Sequence, residues 1–298
     1  MRGRPAAVLA LTRAGFTLFE AVAPGLGARY ALRLWCTPPR PRSRSTVPER
    51  PAGGERFVVP VDGGEVVAES WGSGPTVYLV HGWGGRRQHL DPFVTPLVGS
   101  GHRVVSFDLP SHGESAQGRY GRGRSGLPEF VAVLASVVEA VGPADGIVGH
   151  SLGGSATALA VLGGVPARRV VLVSAPADPI ASTRTFASAL GFGERIRSRL
   201  LCRMERLVRQ PVADFDIPLQ ARRLREVVQE QGPGPVSLPR ALVIHDRDDK
   251  EIPHTDAGAI RAAWPGAEEL RTHGLGHRRI LRDPEVTRRV ADFLARTG

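Results

Sequence analysis

The pattern of hydrophobic and polar positions changes character along the chain. From about residue 55 onward, short runs rich in Val, Ile and Leu alternate with segments whose apolar residues recur at helical spacing. Several of the short runs are continuously apolar, as in strands covered on both faces. The eight predicted strands are Phe57–Val61, Val66–Ser70, Val77–Val80, Arg103–Phe107, Gly146–Gly149, Val170–Ser174, Ala241–Ile244 and Glu269–Thr272.

Helical segments occupy most of the gaps between these runs. Pro128–Val141 and Ser155–Leu162 are two of them. A closing helix over Pro284–Arg296 begins behind Asp283, a good N-cap, with proline at the first helical position. Strands that alternate with helices predict an α/β fold, here a mostly parallel eight-stranded sheet with helices on both faces.

The alternation stops over residues 176–238, which interrupt a core made of residues 55–175 and 239–298. A structureless loop of this length is rare, so the segment predicts a helical cap. Because it leaves after one strand and returns before another, we expect it to lie over the carboxyl ends of the strands and to set substrate choice. Its apolar faces either pack in a core or line an acyl pocket, and include Phe186, Leu190, Phe192, Leu200 and Leu207.

Residues 1–54 form an N-terminal extension. It contains a helical stretch over Pro5–Val22, a second over Ala28–Trp35, and then a Pro/Arg-rich linker from Thr37 to Arg44. The apolar stretch is too short to cross a bilayer and Arg13 interrupts it, which argues against a secretory signal. We expect a cytoplasmic protein whose first helix either packs on the core or touches a membrane surface peripherally.

Composition excludes several classes of function. The net charge is +10, but the arginines are dispersed and Lys250 is the only lysine, so we expect a solvated basic surface and no nucleic-acid partner. Cys36 and Cys202 have no metal-type spacing and form no disulfide framework. No phosphate-loop pattern is present. The sequence therefore predicts neither a metal nor another cofactor.

Gly149-His150-Ser151-Leu152-Gly153 matches the G-x-S-x-G pattern. It follows a predicted strand and precedes a predicted helix, the context in which a serine is lifted above the sheet as a nucleophile. Glycine at both ends allows the sharp turn and close packing. The backbone N–H of Leu152, at the start of the helix, is then placed to stabilise an oxyanion.

Two further strand ends carry suitable partners for this serine. Asp246, Asp248 and Asp249 follow the seventh predicted strand, and His277 follows the eighth. Ligands of open α/β sheets sit at the carboxyl ends of strands, so these side chains are expected near Ser151. The order Ser, Asp, His differs from the orders of trypsin-like and subtilisin-like proteases.

On these motifs the chain resembles the α/β-hydrolase superfamily from about residue 56 to 298. His81-Gly82-Trp83-Gly84-Gly85 is similar to its oxyanion loop, which implies the backbone N–H of Trp83 as the second oxyanion donor. Asp108 to Ser115 resembles the loop after the fourth strand, with Ser111 where the family usually has glycine. The family's acid lies four residues before the proline of its loop. That implies Asp249, with Asp246 and Asp248 left as alternatives.

The resemblance implies a serine hydrolase in which His277 is the base and Asp249 orients it. The expected substrate is a small-molecule carboxylic ester, with an apolar acyl group. The same groups serve lipases, thioesterases, acyltransferases and carbon–carbon hydrolases, and a non-catalytic ligand-binding homologue is a further alternative. The remaining loop histidines, His81, His112, His150 and His245, are expected to be structural.

Overall fold

The strands and helices of the computed structural model are described for residues 3–39, 51–231 and 238–296. Most of the Pro/Arg-rich linker lies outside these ranges, as do residues 232–235, near the end of the expected cap. The strands are β1 Glu55–Val61, β2 Gly64–Trp71, β3 Thr76–Val80, β4 Arg103–Phe107, β5 Ala144–His150, β6 Ala167–Val173, β7 Arg240–Asp246 and β8 Glu268–Thr272. The helices are α1 Gly3–Val22, α2 Pro24–Trp35, α3 Val94–Gly99, α4 Leu127–Val141, α5 Leu152–Leu162, α6 Pro179–Leu190, α7 Glu194–Val208, α8 Ile217–Gln231, α9 Thr255–Ala263, α10 Gly276–Arg279 and α11 Pro284–Ala295.

All eight strands form one sheet in the order β1-β2-β4-β3-β5-β6-β7-β8. β2 runs antiparallel to both of its neighbours, and every other pair is parallel. The predicted α/β fold with a mostly parallel, eight-stranded sheet is therefore confirmed. Because β5, β7 and β8 are parallel, the loops that follow them emerge at the same edge of the sheet.

Helices cover both faces of the sheet, as predicted. On one face, Val77 and Leu79 of β3 belong to a buried cluster with residues of α3 and α11. Tyr78 points to the other face because side chains alternate along a strand. There its hydroxyl donates to the carbonyl of Gly142, directly after α4, at 2.5 Å. Sequence runs that are apolar at every position thus reflect burial from two sides.

The chain divides into two compact units. One comprises Met1–Thr37 and Asp178–Asp216, and the other comprises Pro38–Ala177 and Ile217–Gly298. The sequence-based division placed the whole of 176–238 in a cap and 1–54 in a separate extension. Helix α8 instead belongs to the sheet unit, where it packs against α5 and α9.

The helical unit has a hydrophobic core of its own. It is built mainly from α2 and α7, and the side chain of Ile196 in α7 packs directly on Gly27 of α2, which has no side chain. A Cβ there would lie 2.5 Å from Ile196. Of the apolar residues noted in the expected cap, Phe192 and Leu200 are buried in this core, and Leu207 is half exposed. The core residues are Phe16, Ala28, Ala31, Ala187, Phe192, Ile196 and Leu200.

None of the helices within the described ranges combines the length and the apolarity that crossing a bilayer requires.

Candidate active site

Ser151 occupies a sharp turn between β5 and α5. Its backbone has φ 54° and ψ −127°, a conformation that non-glycine residues rarely adopt. The backbone N–H of Ser151 donates to the carbonyl of Val173 at 2.9 Å, which fixes the turn to β6. Gly153 packs directly on the end of β3, since a Cβ there would lie 2.4 Å from the backbone oxygen of His81. The G-x-S-x-G spacing therefore has a steric cause.

The structure brings Ser151, His277 and Asp249 together. The Oγ of Ser151 lies 3.0 Å from Nε2 of His277, and Nδ1 of His277 lies 2.7 Å from Oδ2 of Asp249. His277 stands in α10, directly beyond β8, and Asp249 stands in the loop after β7. A carboxylate only accepts hydrogen bonds, so Nδ1 carries the proton and Nε2 is left to accept from Ser151.

The carboxylate of Asp249 is completely buried but well supplied with donors. Its Oδ1 accepts from the backbone N–H groups of Glu251 and Ile252 at 2.8 Å and 3.0 Å. Burial alone would raise the pKa of Asp249. Hydrogen bonds from His245, His277 and the backbone outweigh this effect and hold the pKa well below its usual range. The group therefore stays ionised beside His277.

Asp246 and Asp248, the two alternatives to Asp249, make other contacts. Asp246 is fully buried, and it accepts from the hydroxyl of Thr272 at 2.7 Å and from the backbone N–H of Leu275 at 3.0 Å. Asp248 accepts from the backbone N–H of Gly274 at 2.8 Å. Both tie the loop after β7 to the loop that carries His277. Neither is hydrogen-bonded to the imidazole of His277 in the way that Asp249 is.

The oxyanion loop runs directly past Ser151. A Cβ on Gly82 would lie 2.8 Å from Cβ of Ser151, so only glycine fits at this position. On one side of Trp83, Nδ1 of His81 bonds the carbonyl of Gly82 at 2.8 Å. On the other side, the backbone N–H of Gly84 donates to Nε2 of His112 at 3.0 Å. The peptide groups next to Trp83 are thus held on both sides.

Burial keeps both of these histidines neutral. It lowers the pKa of His81 well below its usual range and also lowers the pKa of His112. Their second ring nitrogens bond the loop after β4: Nε2 of His81 accepts from the N–H of Leu109, and Nδ1 of His112 bonds the carbonyl of Pro110. The two histidines are structural links between loops, as expected from the sequence.

Asp108 anchors the same pair of loops at their base. It is fully buried at the end of β4. Its carboxylate accepts from the backbone N–H of Arg87 at 2.7 Å and from that of Glu114 at 3.0 Å, and it forms an ion pair with the buried guanidinium of Arg87. Removing either partner would leave the other charge buried and unpaired, so such a change should destabilise the loops that Asp108 and Arg87 join.

Three supporting residues could not be assigned these contacts from the sequence. His150 contacts the backbone of His277, His245 lies 3.4 Å from Asp249, and Asp246 joins two loops. The sequence marked these residues only by their position, since each lies within a few residues of a predicted catalytic side chain. Among the residues that the structure describes, no group of histidine, cysteine or carboxylate side chains could hold a metal ion.

Comparison with known proteins shows the family to which this chain is related. The family model described as Alpha/beta hydrolase family matches residues 77–290. A non-heme haloperoxidase of Rhodococcus erythropolis is 37% identical over 103 residues, which cover 34% of this chain and 36% of that protein. An esterase of Mycobacterium tuberculosis is 38% identical over 96 residues, which cover 32% of this chain and 30% of that protein. The chain thus matches about a third of the length of these relatives.

Solved structures extend the likeness over more of the chain. An esterase of Pyrococcus furiosus superposes with a TM-score of 0.61 and 19% identity. The superposition covers 87% of this chain and 98% of that one. At this level of identity the similarity is one of fold.

Proposed function

This chain belongs to the alpha/beta hydrolase family, and we propose that it is a serine hydrolase that cleaves carboxylic esters. The observation that carries the proposal is the continuous hydrogen-bond chain from Ser151 through His277 to a buried, ionised Asp249. A serine hydroxyl is a weak nucleophile unless an adjacent base takes its proton. His277 is oriented to be that base.

In the first half-reaction, Oγ of Ser151 attacks the acyl carbon while Nε2 of His277 takes the hydroxyl proton. Asp249 keeps the proton on Nδ1 and stabilises the imidazolium that forms. The C–O bond to the alcohol then breaks, and His277 returns its proton to the departing oxygen. The acyl group is left as an ester on Ser151.

The negative charge on the carbonyl oxygen needs donors that are in place before the reaction. The proposed donors are the backbone N–H groups of Leu152, at the start of α5, and of Trp83. The bonds from His81 and His112 support this role for Trp83, because they hold the peptides on either side of it. Where such donors have been removed from other enzymes, the loss is about 3–4 kcal/mol each.

In the second half-reaction, a water molecule takes the place of the alcohol. His277 accepts its proton, the oxygen attacks the acyl carbon, and the acid leaves as Ser151 regains its proton. This sequence uses groups of the chain and water alone.

Ser151→Ala tests the proposal directly. Hydrolysis of 4-nitrophenyl butyrate should fall on the order of 10⁵-fold, by analogy with other triads. Labelling by a fluorophosphonate probe should disappear, while Ser198→Ala, an exposed serine of α7, should be labelled like wild type. Wild-type protein that neither hydrolyses esters nor takes the label would favour the non-catalytic binding homologue.

The same triad chemistry accepts other acyl donors, so a substrate panel refines the class. Esters from acetate to palmitate, and a matching thioester, separate a small-ester esterase from a lipase and a thioesterase. An added alcohol acceptor reports acyl transfer in competition with water. A pocket discriminates by about 1–3 kcal/mol for each methylene, so turnover along the ester series reports the preferred acyl length.

A further inference from the structure

Helix α1 presents an apolar stripe to solvent. Val8, Leu11, Leu18 and Val22 are between 60% and 74% exposed. Separations of three, seven and four residues place these four side chains on one face of the helix. A surface helix of a soluble protein normally turns such a face toward its core. The exposed stripe on α1 therefore calls for an explanation other than packing against the residues that the structure describes.

Arg13 and Glu20 of α1 point the opposite way and make contacts inside the helical unit. Arg13 donates to the carbonyl of Ala189 at 2.9 Å, at the end of α6. Glu20 accepts from the backbone N–H groups of Gly193, Arg195 and Ile196, at distances from 2.9 to 3.2 Å. These N–H groups lie at the start of α7 and have no partner within that helix. The polar contacts therefore fix the orientation of α1 and hold its apolar stripe outward.

Helix α2 of the same unit also has an exposed face, and its composition is mixed. Leu26 and Tyr30 are half exposed, and the exposed arginines Arg29 and Arg33 lie on the same helix face at spacings of three, four and seven residues. Apolar, aromatic and basic side chains on one surface are typical of helices that lie in a membrane interface. Of the ten exposed large hydrophobic side chains in the described residues, eight belong to the helical unit.

The charge of the helical unit indicates which surface it would meet. Residues 1–37 and 178–216 contain twelve arginines and six acidic residues, a net charge of +6 out of +10 for the whole chain. An anionic bilayer attracts each basic residue near its surface by about 1 kcal/mol. A second copy of the chain would bring Arg29 and Arg33 against like charges, which disfavours self-association through this face.

We propose that α1 and α2 dock on the surface of an anionic lipid bilayer. The stripe of Val8, Leu11, Leu18 and Val22 inserts at the boundary between headgroups and acyl chains. Arg29 and Arg33 meet the lipid phosphates. The helices lie along the surface, since a stripe on one face suits an interface and not the bilayer interior.

Co-sedimentation of the full chain with vesicles tests this proposal without any ester turnover, so its result is independent of the proposed enzyme activity. Wild type should pellet with phosphatidylcholine vesicles that contain about 30% phosphatidylglycerol, and far less with phosphatidylcholine alone. The triple variant Leu11→Gln/Leu18→Gln/Val22→Gln should bind at least about tenfold more weakly. The matched control Val58→Gln/Val227→Gln removes exposed apolar side chains of the sheet unit and should bind like wild type.

A further double variant distinguishes the contribution of the arginine charges from that of the apolar stripe. Arg29→Gln/Arg33→Gln should weaken binding to the anionic vesicles only, and about 0.5 M salt should reduce wild-type binding in the same way. The proposal is overturned if wild type stays in the supernatant, or if the triple variant pellets like wild type. It is also overturned if sedimentation velocity detects a dimer that the triple substitution disperses, since the occupant would then be a second copy.

Discussion

The Nε2 atom of His150 lies 2.9 Å from the backbone oxygen of His277, and the two imidazole rings are 4.8 Å apart between centroids. A carbonyl only accepts, so Nε2 of His150 carries the proton. Burial and the neighbouring His277 lower the pKa of His150 to about 3, which keeps the ring neutral. The residue beside the nucleophile therefore holds the backbone of the residue proposed as its base.

This contact predicts a positioning role for His150. His150→Leu removes the hydrogen bond and should lower kcat about tenfold, the value of one buried hydrogen bond, with little change in KM. His150→Gln retains an N–H donor and should recover most of the loss. Steady-state kinetics on one 4-nitrophenyl ester provide the measurement. Equal kcat values for the Leu and Gln variants would mean that the bond does not position His277.

Asparagine substitutions distinguish the roles of Asp246, Asp248 and Asp249. Asp249→Asn should cost about 10⁴-fold in kcat, because an amide at Oδ2 favours the wrong tautomer of His277. Asp246→Asn should chiefly lower stability, since this buried carboxylate joins the loops after β7 and β8. Asp248→Asn should have the smallest effect. Activity and urea unfolding are measured on each variant, and a larger kcat loss for Asp246→Asn or Asp248→Asn would reassign the acid.

The sheet and the position of the site were predictable because both leave strong local signals. Buried strands appear as continuous apolar runs. The sharp turn at Ser151 needs glycine for steric reasons, as the close packing at Gly153 shows. The acid of the family that the chain resembles lies four residues before the proline of its loop, which is Pro253 in this chain. This count selected Asp249, the carboxylate that lies 2.7 Å from His277. In the loop after β4, Ser111 has φ 61°, a backbone conformation that favours glycine. The family that the chain resembles usually has glycine at this position.

The association of the N-terminal helices with α6 and α7 could not be predicted from periodicity. Apolar residues of α1 lie both on the solvent-facing stripe and at the buried Phe16, so the hydrophobic pattern alone does not select one buried face. Long-range polar contacts also attach α1, as between Glu20 and the start of α7, 173 to 176 positions away. Likewise, nothing local marks α8 as part of the sheet unit, since its burial depends on α5 and α9.

Close packing of the oxyanion loop predicts a severe effect of a single methyl group. Gly82→Ala would place Cβ 2.8 Å from Cβ of Ser151 and 3.0 Å from the backbone oxygen of His150. The loop must then move away from the nucleophile, and kcat should fall at least about 100-fold with the loss of one oxyanion donor. Gly258→Ala, a helix position with open space around it, is the control and should leave kcat unchanged. Comparable kcat for Gly82→Ala and wild type would remove Trp83 from the proposed oxyanion hole.

Buried neutral histidines predict a loss of stability in mild acid. Burial lowers the pKa of His81 and of His112, and burial together with the neighbouring His277 lowers the pKa of His150 to about 3. In the unfolded chain a histidine has a pKa of about 6.5. Above that pH both states are neutral and the histidines contribute nothing. Below it the unfolded state binds protons that the folded state does not, so the free energy of unfolding falls as the pH falls.

The size of this effect can be tested at His150. Each such histidine lowers the free energy of unfolding by up to about 1.4 kcal/mol for each pH unit below about 6.5, until the folded-state pKa is approached. The depressed pKa of Asp249 acts at lower pH, because its stabilisation is lost only below about 4. Urea unfolding of wild type and His150→Gln between pH 7.5 and 5 should therefore show a shallower pH dependence in the variant, by about one proton. An unchanged slope would show that His150 does not titrate differently in the folded and unfolded states, and that its burial does not keep the ring neutral.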